Sequence, residues 1–112
     1  MFTLNWTDEA AGTYERLKTK AAHAVATKQG TKSSKAEGLF KQVVKTLALL
    51  QDNPRHPGLK THEYDSIENP FDPKQKVFEA YAQNNTPGAY RVFWCYGPAA
   101  KQITIIAITP HP

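Results

Sequence analysis

The stretch NPRHPGLKTHEY, residues 53 to 64, follows a long helical pattern and sets His56, Lys60, His62 and Glu63 within eight positions of one another. Imidazole, ammonium and carboxylate groups are the side chains that move protons and hold anions near neutral pH. If LKTHEY is extended, alternation puts Lys60, His62 and Tyr64 on one face and Glu63 on the other, and a lysine and a histidine two apart can jointly engage an anion. Two further candidates lie far along the chain. Arg91 sits in the apolar run AYRVFWCYG, where a guanidinium must reach solvent at an edge, pair with a carboxylate such as Glu79 or Glu63, or await an anion. His111, in the closing ITPHP, is bracketed by Pro110 and Pro112, which stiffen the backbone around it.

Other chemistries find less support. His56 reads first as a loop residue in a proline-bracketed turn, and His23, inside a helical pattern, as structural or exposed. The serines are Ser33, Ser34 and Ser66, none of them in a strand-to-helix elbow. His56, His62, Glu63, Asp65 and His111 are ligand types, but their spacing matches neither a helix-borne pair nor a thiolate motif, so no metal or other cofactor is expected. Cys95, the only cysteine, excludes an internal disulfide framework and reads as a small core residue.

The elements that must position these groups belong to one domain, residues 1–112, because a chain of 112 residues supports one hydrophobic core and not two. No apolar run reaches the roughly 18 residues of a membrane span. MFTLNWTDEAAG lacks the basic start and apolar stretch of a secretory signal, and with one cysteine the expectation is a cytoplasmic protein. The net charge is +4, which permits polyanion binding without demanding it. Its distribution is uneven: residues 1–53 hold eight Lys or Arg against five Asp or Glu, with Lys41 and Lys45 on the second helical segment. Such lysines form a solvated face unless a site lies beside them.

Thr7 suits an N-cap, with Asp8 and Glu9 in the first turn. Ala11, Tyr14, Leu17, Ala21 and Val25 then recur at helical spacing toward Gly30. After the polar TKSSKAEG link, Ser34 and Glu37 have capping-box spacing, and Leu39, Phe40, Val43, Val44, Leu47 and Leu50 form a stronger stripe that Asn53 and Pro54 end. LKTHEY, KVFEAYA, AYRVFWCYG and ITIIAIT follow as strands, the last three joined by NNTPG and GPAAKQ in an antiparallel meander. DSIENPFDPK reads as a polar loop between the first two. The expectation is α+β: an N-terminal antiparallel helical hairpin on a mostly antiparallel sheet of about four strands.

This order, with NPRHPGLK after the second helix, GAYRVFW in a middle strand and ITIIAIT last, resembles the RelE/ParE toxin superfamily over nearly the whole chain. The resemblance implies a toxin neutralised by a cognate antitoxin, many members being ribosome-dependent mRNA endoribonucleases. The ParE branch, which inhibits DNA gyrase, and a non-catalytic interaction module whose acidic 63–72 loop binds a basic partner are the alternatives. Carried over by position, Arg91 matches the family arginine as phosphate clamp, His111 a catalytic histidine past the last strand, and Lys60 and His62 the basic and imidazole groups of the first strand. Lys41, Lys45, Arg55 and His56 would then contact RNA. Where the family often carries a second basic residue in the second strand, KVFEAYA here offers Glu79.

Overall fold

The computed structural model describes residues 1–28, 30, 34–84 and 87–111. Parts of the TKSSKAEG link and of the NNTPG turn, and Pro112 beside His111, lie outside the described residues. The order is β1 (Thr3–Trp6), α1 (Asp8–Thr27), α2 (Lys35–Asp52), a 3-10 turn (Pro57–Leu59), β2 (His62–Glu63), β3 (Phe78–Tyr81), β4 (Tyr90–Tyr96) and β5 (Gln102–Pro110). The five strands make one mixed sheet in the order β1-β5-β4-β3-β2. All neighbours are antiparallel except β1 and β5, which run parallel with Thr3 opposite Gln102.

The α+β class stands, and three details change. The sheet has five strands, not about four. The helices are not N-terminal, because β1 precedes them and borrows its hydrogen bonds from the far end of the chain, Thr3 N–H to the Lys101 carbonyl (2.9 Å) and Thr7 N–H to that of Ile105 (3.0 Å). LKTHEY contributes only His62 and Glu63 to the ladder: Lys60 takes a left-handed conformation (φ 50°, ψ 38°) that closes the 3-10 turn and keeps it off the strand.

Helix entry follows the expected chemistry. Ser34 and Glu37 exchange side-chain-to-backbone bonds at the start of α2, the Ser34 N–H reaching Glu37 Oε2 at 2.6 Å. That backbone bond, with the Lys28 ammonium at 3.1 Å, holds the Glu37 carboxyl below the usual range. The helix-covered face of the sheet is a core of Ala10, Leu17, Val43, Leu47 and Leu50 from the helices against Ala80, Val92, Trp94, Ile103, Ile105 and Ile108. Val25 and Val44, assigned to the buried stripes, are instead 54% and 40% exposed. The opposite face packs Val77, Phe93, Cys95, Ile106 and Ala107 under Tyr64 and Ile67. The DSIENPFDPK loop is ordered over it: buried Asn69 donates to the Lys76 carbonyl (3.2 Å) and accepts from Phe71 N–H (2.9 Å). Cys95 is core, and burial pushes its thiol up to about 11, a poor nucleophile at neutral pH.

A bulge in β5 sets both faces. Phe93 pairs with Ala107 and Trp94 with Ile105, so Ile106 is left over and Ile105 and Ile108, three apart, both turn to the helices. The Ile106 carbonyl accepts the Thr7 hydroxyl at 2.6 Å, while that hydroxyl also accepts the Ala10 N–H of α1 at 3.1 Å. One threonine thus caps a helix and fastens it to the bulge. Thr7→Ala is expected to cost about 1–2 kcal/mol in urea unfolding, with Thr7→Ser close to wild type. An alanine variant as stable as wild type would show that the bridge carries no energy.

Candidate functional site

Alternation along β3 sends Phe78 and Ala80 toward the helices and Glu79 and Tyr81 to the other face. Register then brings the partners: His62 of β2 lies opposite Glu79, and Arg91 of β4 opposite Tyr81. Arg91 pairs on its other side with Thr109, so His111, two residues on, shares that face. The His111 N–H continues the ladder to the Ala89 carbonyl at 2.8 Å, which fixes the backbone from which its ring reaches across β4.

Glu79 is the centre of the arrangement. Its Oε1 lies 2.6 Å from His62 Nε2 and its Oε2 2.8 Å from His111 Nδ1. The carboxylate side chain is 1% exposed, whereas the two imidazoles are 48% and 43% exposed. A buried carboxylate must be hydrogen-bonded to be tolerated, and here each oxygen has its own ring. In return each ring is held in one orientation. With Nδ1 of His111 on the carboxylate, its Nε2, across the ring, is the nitrogen left to a substrate. His62 Nδ1 faces the Lys60 carbonyl at 3.3 Å, so both nitrogens of this ring meet oxygen acceptors.

Tyr81 gathers the cations. The Arg91 guanidinium carbon lies 3.7 Å from its ring centroid, the Lys60 ammonium 5.9 Å, and the His62 ring stands edge-on at 5.7 Å. Arg91 is buried and its Nη1 donates to the carbonyls of Gln83 (3.2 Å) and Tyr90 (3.1 Å). Over an aromatic face, a desolvated guanidinium gains about 2 kcal/mol or more. Lys60 is exposed and lines two cavities. One, of about 230 Å3, also holds Lys45 and Tyr81; the other, of about 520 Å3, holds Arg55 and His56. Lys41 stands exposed on α2. His56 Nδ1 accepts the Gly58 N–H at 2.9 Å and so helps close the 3-10 turn.

The sequence-derived candidates His62, Lys60, Arg91 and His111 therefore converge around Glu79 and Tyr81. The sequence pattern assigns neither residue a role: Glu79 enters it only as a possible mate for Arg91 and as a departure from a basic pattern, and Tyr81 only as part of the strand KVFEAYA. The acidic loop keeps apart. Glu63 pairs with Lys76 at 2.6 Å, and with Asp65 and Glu68 it lines a separate cavity that contains none of the four candidates. Among the described residues no group of three or more His, Cys, Asp or Glu side chains has the geometry of a metal site, and no helix is long and apolar enough to cross a membrane.

No protein-family model and no curated protein sequence matches the chain. Solved structures do. A YoeB/ParE toxin from Agrobacterium tumefaciens aligns over 98% of this chain and 99% of its own, with a TM-score of 0.62 at 10% identity. A chain of the intact RelBE toxin-antitoxin complex of E. coli aligns over 100% of this chain and 99% of its own (TM-score 0.55, 12% identity), and a chain of the chromosomal ParDE system of P. aeruginosa over 100% and 98% (TM-score 0.54, 19% identity). The fold is that of the RelE/ParE toxin superfamily.

Sharing one carboxylate has a measurable consequence. His62→Ala or His111→Ala alone leaves Glu79 one ring, but the double variant leaves a buried carboxylate with neither. In urea unfolding the double variant is expected to lose at least about 0.5 kcal/mol more than the two single losses combined. Strict additivity would mean that the rings do not depend on a common partner.

Proposed function

We propose that this protein is the toxin of a toxin-antitoxin pair and that it cleaves mRNA on the ribosome by metal-free transesterification. The observation that carries the reading is the pair of half-exposed imidazoles held on one buried carboxylate beside an exposed lysine. Such chemistry needs a base for the 2′-hydroxyl proton, a cation for the phosphorane and an acid for the leaving 5′-oxygen.

His111 Nε2 takes the 2′-hydroxyl proton, and Glu79, on the opposite nitrogen, stabilises the imidazolium that forms. The 2′-oxygen attacks phosphorus, and the bond from phosphorus to the 5′-oxygen breaks. His62, in its imidazolium form, gives the Nδ1 proton that faces the Lys60 carbonyl to the departing 5′-oxygen. The products are a 2′,3′-cyclic phosphate and a 5′-hydroxyl, and the net proton passes from His62 to His111 before solvent restores both. Lys60 supplies the mobile positive charge at the phosphate. Arg91, from beneath the Tyr81 ring, adds to the local positive field and holds that ring in place. Lys41, Lys45, Arg55 and His56 contact RNA outside the reacting centre, an affinity that falls steeply with salt. A cognate antitoxin neutralises the protein by covering this face.

Induction in bacteria, followed by mapping of mRNA ends, tests the proposal. Wild type is expected to arrest growth and leave 2′,3′-cyclic phosphate ends, and His111→Ala to lower cleavage about 10²–10⁴-fold. Glu79→Gln, which keeps the shape and removes the charge, falls between them. Growth arrest that survives His111→Ala without new RNA ends would instead favour a gyrase-inhibiting protein. Harmless high-level expression of wild type would favour a non-catalytic interaction module.

A further inference from the structure

We infer that the cavity between the 54–61 turn and the end of the sheet is a base-binding subsite for single-stranded RNA, an inference that rests on the RNA-cleaving reading above. The cavity encloses about 520 Å3, within the range of about 300–1,000 Å3 common to small-ligand sites. Three of its lining residues, Phe78, Trp94 and Tyr96, form a fixed aromatic group. Phe78 and Trp94 are stacked at 4.8 Å, and Tyr96 stands edge-on to both, at 5.8 and 5.0 Å. Tyr96 is nevertheless 46% exposed, a large ring held rigidly at the mouth of a hollow. A rigid, half-open ring is what a nucleobase stacks on, with little conformational entropy left to lose.

The polar character of the cavity points the same way. Arg55, His56 and Lys60 supply its charged or ionisable lining groups, and no carboxylate is among the lining residues. Trp94 Nε1 and Thr61 Oγ1, on two of those residues, are buried without a hydrogen-bond partner among the described residues. An apolar side chain would use the rings alone, and a bare anion the cations alone. A nucleotide uses both, its base against Tyr96 and its phosphate on Arg55 or Lys60.

Position links this hollow to the cluster. Lys60 lines the aromatic cavity, lines the smaller cavity with Lys45, and stands over Tyr81. The aromatic hollow opens on the helix-covered side of the sheet and the Glu79 cluster on the other, so Lys60, at the strand edge, is the residue through which a strand passing from one to the other would run. The subsite sets which nucleotide flanks the cut and not whether the cut occurs.

The test uses the full chain carrying His111→Ala, so that RNA is bound and not consumed, with a fluorescein-labelled single-stranded RNA octamer read by anisotropy. Tyr96→Ala is expected to weaken binding about tenfold, with Tyr96→Phe close to the parent, because stacking needs the ring and not the hydroxyl. Arg55→Ala is expected to lower the slope of log affinity against log salt by about one. An octamer of abasic residues is expected to bind about tenfold more weakly than RNA, a comparison that holds even if Tyr96→Ala fails to fold. Equal binding of abasic and intact octamers, or full affinity in folded Tyr96→Ala, overturns the subsite. If wild type still cleaves RNA in that case, the catalytic reading is untouched. Tyr96-dependent binding without any cleavage by wild type supports the subsite and defeats the catalytic reading. Failure of the octamer to bind at all defeats the inference.

Discussion

One buried carboxylate holds this site together. Glu79 stands on the third strand of the sheet with almost no exposure, and an anion there is tolerable only because His62 and His111 each bond one of its oxygens. The constraint works in both directions. The acid needs the rings to be buried, and the rings need the acid to be held still. Two histidines separated by 49 positions in the chain are thereby fixed on the two oxygens of one carboxylate. Sites built on strands are held more precisely than sites on loops, and here the orienting group belongs to a strand.

Around that centre the cations divide into two kinds. Arg91 is interior, bonded to backbone carbonyls and laid on Tyr81, so it contributes shape and field. Lys60 is exterior, a left-handed residue at the end of a 3-10 turn, and its long stem carries the ammonium over the Tyr81 ring. The division explains how an apolar strand such as YRVFWCY can contain a guanidinium. The ring and the carbonyls take the place of water, and the solvent-facing work falls to a lysine from another segment.

Much of this fold was legible in local pattern, and the reasons for the gaps are physical. Thr7, Ser34 and Glu37 act through neighbours three residues away, so their capping roles can be read directly. Val43, Leu47 and Leu50 are buried as their spacing required, but Val25 is not, because periodicity marks a stripe without saying how far along a helix the core extends. β1 is not legible in local pattern because one exposed and three half-buried residues acquire their identity from a partner almost a hundred positions away. Lys60 lies off the strand that alternation assigns it, since nothing in its type signals a left-handed backbone. Glu79 was the largest omission. Its meaning depends on which residue the register sets opposite it and on where a C-terminal ring folds back, and neither is a property of KVFEAYA itself.

The parallel pairing of β1 with β5 also imposes an order of events. The strand made first finds its hydrogen-bonding mate only when residues 102 to 105 exist, and the ring that completes the carboxylate's coordination comes later still. Contacts of such long separation are slow to form, because the intervening chain must be gathered before they repay its lost freedom. A growing polypeptide thus carries helices and a hairpin well before it carries a finished sheet. The cluster on Glu79 arrives last, as a property of the closed molecule and of none of its parts.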